Sequence, residues 1–115
     1  MSQTEQPTSN TSPETSEQFF QRLTGLPVEQ KVEELAALLF SIADSALFIG
    51  KKNDWLRNLI NFHPEDPVAE AYLRGKLRTK IMLRFDSLNY ALHGSPQAVN
   101  EMKEYLSEQQ INENA

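Results

Sequence analysis

The sequence contains no cysteine among its 115 residues. Disulfide frameworks, thiolate nucleophiles and cysteine-based zinc sites are therefore excluded, and a reducing, cytoplasmic setting is the expected one. Also missing is any run of about 18 apolar residues that would span a membrane. The N-terminus has neither the basic region nor the apolar region of a secretory signal, so we expect no membrane partner.

The residue types that catalysis needs are sparse as well. No phosphate-binding loop of the GxxxxGK[ST] type occurs, and the two histidines, His63 and His93, are far apart in sequence. The one cluster of histidine with carboxylates is "HPED" at 63–66, where Asp66 has the simpler role of a helix cap. We predict that the chain is not an enzyme and holds no metal and no cofactor.

The net charge of −5 is distributed unevenly along the chain. Residues 1–50 carry 2 basic and 7 acidic side chains, residues 51–84 carry 8 and 4, and residues 85–115 carry 1 and 5. Because charges separated by more than about 8 Å are screened at physiological salt, the positive middle segment can still attract phosphate. An acidic composition therefore does not exclude nucleic acid as a partner.

Strand patterns are absent, because no segment alternates apolar and polar residues and β-branched clusters are missing. Apolar residues instead recur at helical spacing, most clearly in "VEQKVEELAALLF" at 28–40. We predict an all-α fold, forming one compact domain overall. The ends differ in composition: residues 1–17 lack aliphatic side chains after Met1 and are predicted to be a disordered tail, and 111–115 a frayed C-terminus.

Capping signals divide the chain into a helix-turn-helix-like N-terminal unit followed by a long helical hairpin. Ser41 caps a short helix that Gly50 ends, and a third helix begins at Lys52 or Asn53. "DP" at 66–67 begins a helix of about 25 residues, and "GSP" at 94–96 turns the chain into the last one. The unit is predicted at 18–62 and the hairpin at 67–110.

The stretch "IADSALFIGKKNDWLRNLI" at 42–60 fits a helix-turn-helix, with Ala46 as the small contact residue and Gly50 in the turn. Leu56 and Leu59 would anchor the second helix, while Lys51 stands where an aliphatic residue is usual. The side chains predicted to face DNA are Lys51, Lys52, Asn53, Arg57 and Asn58. Arginine and asparagine make bidentate contacts with base edges. A helical corner in a small bundle would need the same residues.

The helical segment "RGKLRTKIMLR" at 74–84 has five cations and no acid. Lys76, Lys80 and Arg84 fall in one stripe of the helix, and Arg74 and Arg78 fall in another. The first stripe fits a phosphate contact, an acidic protein surface such as a neighbouring subunit's 28–40 helix, or a solvated face without a partner. The apolar residues lie on two sides of the same helix. One side would pack within the protomer and the other between protomers, although burial in a monomer fits equally well.

The order of features over 32–110 resembles the small terminase subunits of tailed phages and prophages. In that family a helix-turn-helix precedes A-Y-x-x-G-[RK], a long basic helix and A-x-x-G-[NS]-x-x-A. The matching residues here are Ala71, Tyr72, Gly75, Lys76, Ala91, Gly94, Ser95 and Ala98. The resemblance implies recognition of phage DNA, ring assembly through the C-terminal helices, and delivery of DNA to a large terminase subunit that holds ATPase and nuclease activities.

We therefore predict a non-catalytic subunit that recognises double-stranded DNA during phage or prophage genome packaging and acts as a homo-oligomer. Two alternatives use the same residues. A small helix-turn-helix transcriptional regulator would bind DNA as a dimer. A helical protein–protein adaptor would use its basic helix on an acidic protein and would not bind DNA.

Overall fold

The computed structural model describes residues 12–114, and all regular secondary structure in that range is helical. The predicted all-α class and the long C-terminal hairpin are confirmed. Residues 1–11 of the predicted tail, and Ala115, lie outside the described residues. Within the range, no helix is both long enough and apolar enough to cross a membrane. The six helices are α1 (Ser16–Thr24), α2 (Val28–Ala37), α3 (Ile42–Ile49), α4 (Trp55–Phe62), α5 (Pro67–Leu92) and α6 (Pro96–Glu113).

Three helices begin at the side-chain caps that the sequence predicts. The Ser41 hydroxyl accepts a hydrogen bond from the Asp44 amide at 3.0 Å, and the Asp66 carboxylate accepts one from the Val68 amide at 2.8 Å. The Ser95 hydroxyl accepts one from the Ala98 amide at 3.3 Å. Each cap satisfies a backbone donor that the helix itself leaves unpaired, so these boundaries are fixed locally.

Helix α1 begins at Ser16, inside the segment predicted as a tail. A capping box explains the earlier start: the Gln18 amide donates to the Thr15 hydroxyl at 3.1 Å, and the Thr15 amide donates to the Gln18 side chain at 2.9 Å. At the other end, α6 continues to Glu113, through most of the segment predicted to fray.

Helix α2 ends at Ala37, three residues before the predicted end of the 28–40 helix. The chain turns because Leu39 adopts a left-handed backbone with φ of 68°, and the Phe40 amide donates to the Leu35 carbonyl at 3.0 Å. This conformation costs a leucine about 1–2 kcal/mol relative to the right-handed one. The Tyr72 hydroxyl holds the turn by donating to the Phe40 carbonyl at 3.0 Å.

The core forms where α2 packs against the N-terminal half of α5. Val32, Ala36, Leu56 and Tyr72 make up its buried cluster. Gly75 lets the two helices approach, because a Cβ there would lie 2.1 Å from the Glu33 carbonyl oxygen. Burial raises the pKa of the Tyr72 hydroxyl.

Arginines of α5 are paired with glutamates of α2 in the same chain. Arg74 donates to Glu33 at 2.9 Å, and Arg78 donates to Glu33 at 3.1 Å and to Glu34 at 3.3 Å. The sequence predicted the acidic 28–40 helix of a neighbouring subunit as a possible partner for a different set of cations on α5, the stripe of Lys76, Lys80 and Arg84. Exposed ion pairs of this kind contribute about 0–1 kcal/mol each, so they align the two helices more than they stabilise them.

Helix α5 continues beyond the core and pairs with α6 as a hairpin. Gly94 makes the turn with φ of 94°, and Ser87 donates to Glu101 at 2.9 Å across it. The described residues have a radius of gyration of 18.3 Å, whereas a compact domain of this size has about 13 Å. The described residues extend over 46 × 45 × 21 Å, because the distal part of the hairpin projects from the core.

Candidate nucleic-acid interface

The corner between α3 and α4 is built by a glycine turn and two fully buried side chains. Gly50 ends α3 with φ of 89°, and the Lys51 amide donates to the Ala46 carbonyl at 2.9 Å. Ala46 and Leu56 are both 0% exposed. The small residue and the leucine thus fix α4 on the core, as a helix-turn-helix requires.

Helix α4 separates an apolar inner face from a polar outer face. Leu56 is buried, and Leu59 and Ile60 pack partly buried against the core. On the opposite side, Arg57 and Asn58 are exposed together with Asn61. The outer face is therefore free to contact a large ligand without disturbing the core.

The cationic residues before α4 lie in the turn and not in the helix. A helix start at residue 52 or 53 was predicted, but α4 begins at Trp55, whose amide donates to the Lys52 carbonyl at 3.0 Å. Lys51, Lys52 and Asn53 are all exposed in this turn. The Lys51 ammonium lies 5.8 Å from the centroid of the Trp55 ring. The position after the turn glycine, which is usually aliphatic in a helix-turn-helix, therefore holds a surface cation in this chain.

The corner has a small positive surplus, with Lys51, Lys52 and Arg57 against Asp54. The ion pairs found within 12–114 involve none of these three cations. Exposed cations without an internal counter-ion keep their full capacity to bind phosphate.

The predicted stripe on α5 divides into two parts. Lys76 and Lys80 are exposed and take part in none of those ion pairs. Arg84 is partly buried in the hairpin, where it donates to Glu108 at 2.9 Å and lies 4.3 Å from the centroid of the Tyr105 ring. Its charge is already partly neutralised, so it is a poorer phosphate ligand than the two lysines.

The described residues assemble no candidate metal centre, since no group of three or more potential ligands occurs among them. His63 ends α4, and its ring nitrogen lies 3.9 Å from the Glu65 carboxylate on the surface. Asp66 is engaged as the cap of α5. These side chains therefore have structural roles or face solvent.

Most of the residues that carry the terminase resemblance occupy packing and turn positions, whereas Lys76 is exposed. Ala71, Tyr72 and Gly75 lie buried along the side of α5 that meets α2. Gly94 and Ser95 form the hairpin turn and its cap. These roles explain why small residues stand at these places. In comparisons with known proteins, no family model, no curated protein and no solved structure matches the chain.

Proposed function

We propose that the protein is a non-catalytic subunit that recognises double-stranded DNA through the corner between α3 and α4. The observation that carries the proposal is the outer face of this corner. It holds exposed cations that take part in none of the ion pairs of the described residues, together with exposed amides, on a turn and on a helix that Leu56 anchors. Packaging of a phage or prophage genome is the proposed context, and it rests on the resemblance over 32–110.

In the proposed complex, α4 lies in the major groove. An α-helix with its side chains is about 10–12 Å across, which fits the groove width of about 12 Å, and the 8 residues of α4 would extend roughly 12 Å along the groove. Arg57 is placed to contact guanine and Asn58 to contact adenine, since these side chains form bidentate hydrogen bonds with those bases. Lys51, Lys52 and Asn53 bind phosphates next to the groove and set the register of the helix.

Lys76 and Lys80 on α5 supply a second, sequence-independent contact to phosphate. Such contacts release counter-ions, so their share of the affinity falls steeply as salt rises. Arg84 binds phosphate less well in this proposal, and its main role is to hold the hairpin together. Its guanidinium donates to Glu108 and lies over Tyr105.

Self-association through the hairpin is the second part of the proposal. Large apolar side chains on one side of α5 recur at intervals of three and four residues and remain exposed; they are Leu77, Ile81, Phe85, Leu88 and Leu92. A helix surface of this kind is typical of contacts between subunits. Several copies on one duplex would strengthen the modest charge of each corner. A large terminase subunit is the further partner that the resemblance implies.

Replacing Arg57 with alanine should weaken binding to a preferred duplex by roughly tenfold, the effect expected for one lost base contact of about 1–3 kcal/mol. The same change should relax preference at one base pair. Fluorescence anisotropy on labelled duplexes measures both quantities. Lys103→Ala, which removes an exposed cation from α6, is the matched control and should bind as the wild type does. Equal affinity of Arg57→Ala and the wild type would contradict the base contact.

The number of protomers separates this proposal from a transcriptional regulator, which would use the same corner. Two copies on a two-fold site indicate a regulator. About eight or more in a closed ring indicate a packaging subunit. An adaptor would instead form a protein complex that added DNA does not disturb.

A further inference from the structure

An apolar groove of about 550 Å³ lies between α1, α2 and α3, and none of the basic residues of the corner lines it. Leu23 and Leu35 form its floor and are 4% and 5% exposed. Its walls are Phe19 and Phe20 on α1 and Leu47 on α3. Leu47 is 74% exposed and Phe20 is 54% exposed. Large side chains of this kind are normally covered when they cluster around a concave surface.

The groove has the shape of a site for a helix. Helix α1 presents Ser16, Phe19, Phe20 and Leu23 to it, which is the i, i+3, i+4, i+7 face of one helix. Phe20 meets Phe48 edge to face, with ring centroids 6.2 Å apart, so the two walls are joined at one edge. An incoming helix between α1 and α3 would complete a four-helix arrangement over α2.

The chemistry of the lining favours a helix over a small molecule. Ser16 and Asp44 are the only polar residues among the ten that line the groove. Specific sites for small molecules use several convergent polar groups to fix orientation. A peptide helix needs only apolar anchors at i, i+3, i+4 and i+7 for an apolar groove.

The acidic residues near the groove indicate which residues would flank the apolar anchors of an incoming helix. Residues 12–50 carry six acidic and two basic side chains, of which Glu14, Glu33 and Glu34 are already paired with arginines. Asp44 lines the groove and Glu17 follows the lining residue Ser16; both are exposed and outside the ion pairs of the described range. A cationic flank on the occupant would complement these two carboxylates.

We propose that this groove binds an amphipathic helix of a partner protein whose apolar face is flanked by lysine or arginine. The chain's own basic helix, α5, is a poorer match, because Arg74, Arg78 and Arg84 are already paired with acids of the same chain. The groove and the DNA-binding corner share α3, but none of the cationic residues of the corner lines the groove, so variants of each site test the two proposals separately.

The test uses a displayed library of helical peptides with apolar residues fixed at i, i+3, i+4 and i+7, and flanks randomised among lysine, glutamate and glutamine. The full-length protein serves as the target, and Leu47→Glu as the counter-target. Ile111→Glu is the matched control, because Ile111 is 66% exposed on α6. Circular dichroism checks that all variants are folded.

The proposal predicts enrichment of lysine-flanked peptides that bind Leu47→Glu at least about tenfold more weakly and bind Ile111→Glu unchanged. Asp44→Lys should shift the preference towards glutamate flanks. Enrichment of glutamate or glutamine flanks, equal binding to Leu47→Glu, or no enrichment at all would overturn it. Self-association that Leu47→Glu abolishes would also overturn it, since a second copy would then fill the groove. The affinity of Leu47→Glu for duplex DNA is measured as well, because it shows whether the DNA-binding corner still functions in this variant.

Discussion

Replacing Gly75 with alanine is expected to lower the free energy of unfolding by about 3 kcal/mol or more, the upper range for forcing atoms into a packed core. The added Cβ would lie 2.1 Å from the Glu33 carbonyl oxygen and 3.1 Å from the Ala36 side chain. The nearest obstacle is backbone, which cannot rotate away as a flexible side chain would. Helices α2 and α5 would have to separate, and the buried contacts around Tyr72 would be lost with them.

Urea denaturation followed by circular dichroism measures this effect. Gly25→Ala is the matched control, because a Cβ at Gly25 meets nothing closer than 3.7 Å and its φ of −89° suits alanine. The control should change stability by less than about 1 kcal/mol. If both variants unfold at the same urea concentration as the wild type, the close contact between α2 and α5 is wrong.

A second large effect, on self-association, is expected when acidic residues are introduced on the exposed apolar side of the hairpin. The double variant Ile81→Glu/Leu88→Glu should convert the assembled protein to monomers, since it places carboxylates in the proposed contact between subunits. Both residues are exposed, at 59% and 42%, so the fold of the protomer should change little. Light scattering coupled to size exclusion measures the mass directly.

Tyr90→Glu supplies the control for this variant. Tyr90 is 67% exposed and lies on the opposite side of α5 from Ile81. Assembly should survive this change. A monomeric wild type at tens of micromolar, or assembly of the double variant at the wild-type mass, would contradict self-association through this surface.

Much of the fold follows from local sequence signals. Asp66 and Ser95 cap their helices as predicted, and Gly50 and Gly94 adopt the left-handed conformation that ends one. The end of α2 could not be predicted this way. Leu39 takes the same left-handed conformation without a glycine, and contacts from α5 hold the turn. Such a contact joins residues 32 positions apart, which local patterns do not encode.

The candidate site was predictable in its residue types and less so in its geometry. Helical spacing separates the two cationic stripes of α5, but it does not show which acids they meet. The partners of Arg74 and Arg78 lie 41 to 45 positions away. Helical spacing likewise does not show that Arg84 donates to Glu108. The groove beside α1 was missed entirely, although the spacing of Phe19, Phe20 and Leu23 indicates an apolar helix face.

The proposed function depends on binding of duplex DNA by the corner between α3 and α4. The most direct test is the affinity for a random duplex of about 30 base pairs from low to physiological salt, compared between the wild type and Lys51→Glu/Lys52→Glu/Arg57→Glu. We expect salt-dependent binding by the wild type that the variant loses. Absence of binding by the wild type at low salt, or equal binding by the variant, would contradict the claim and favour a helical adaptor.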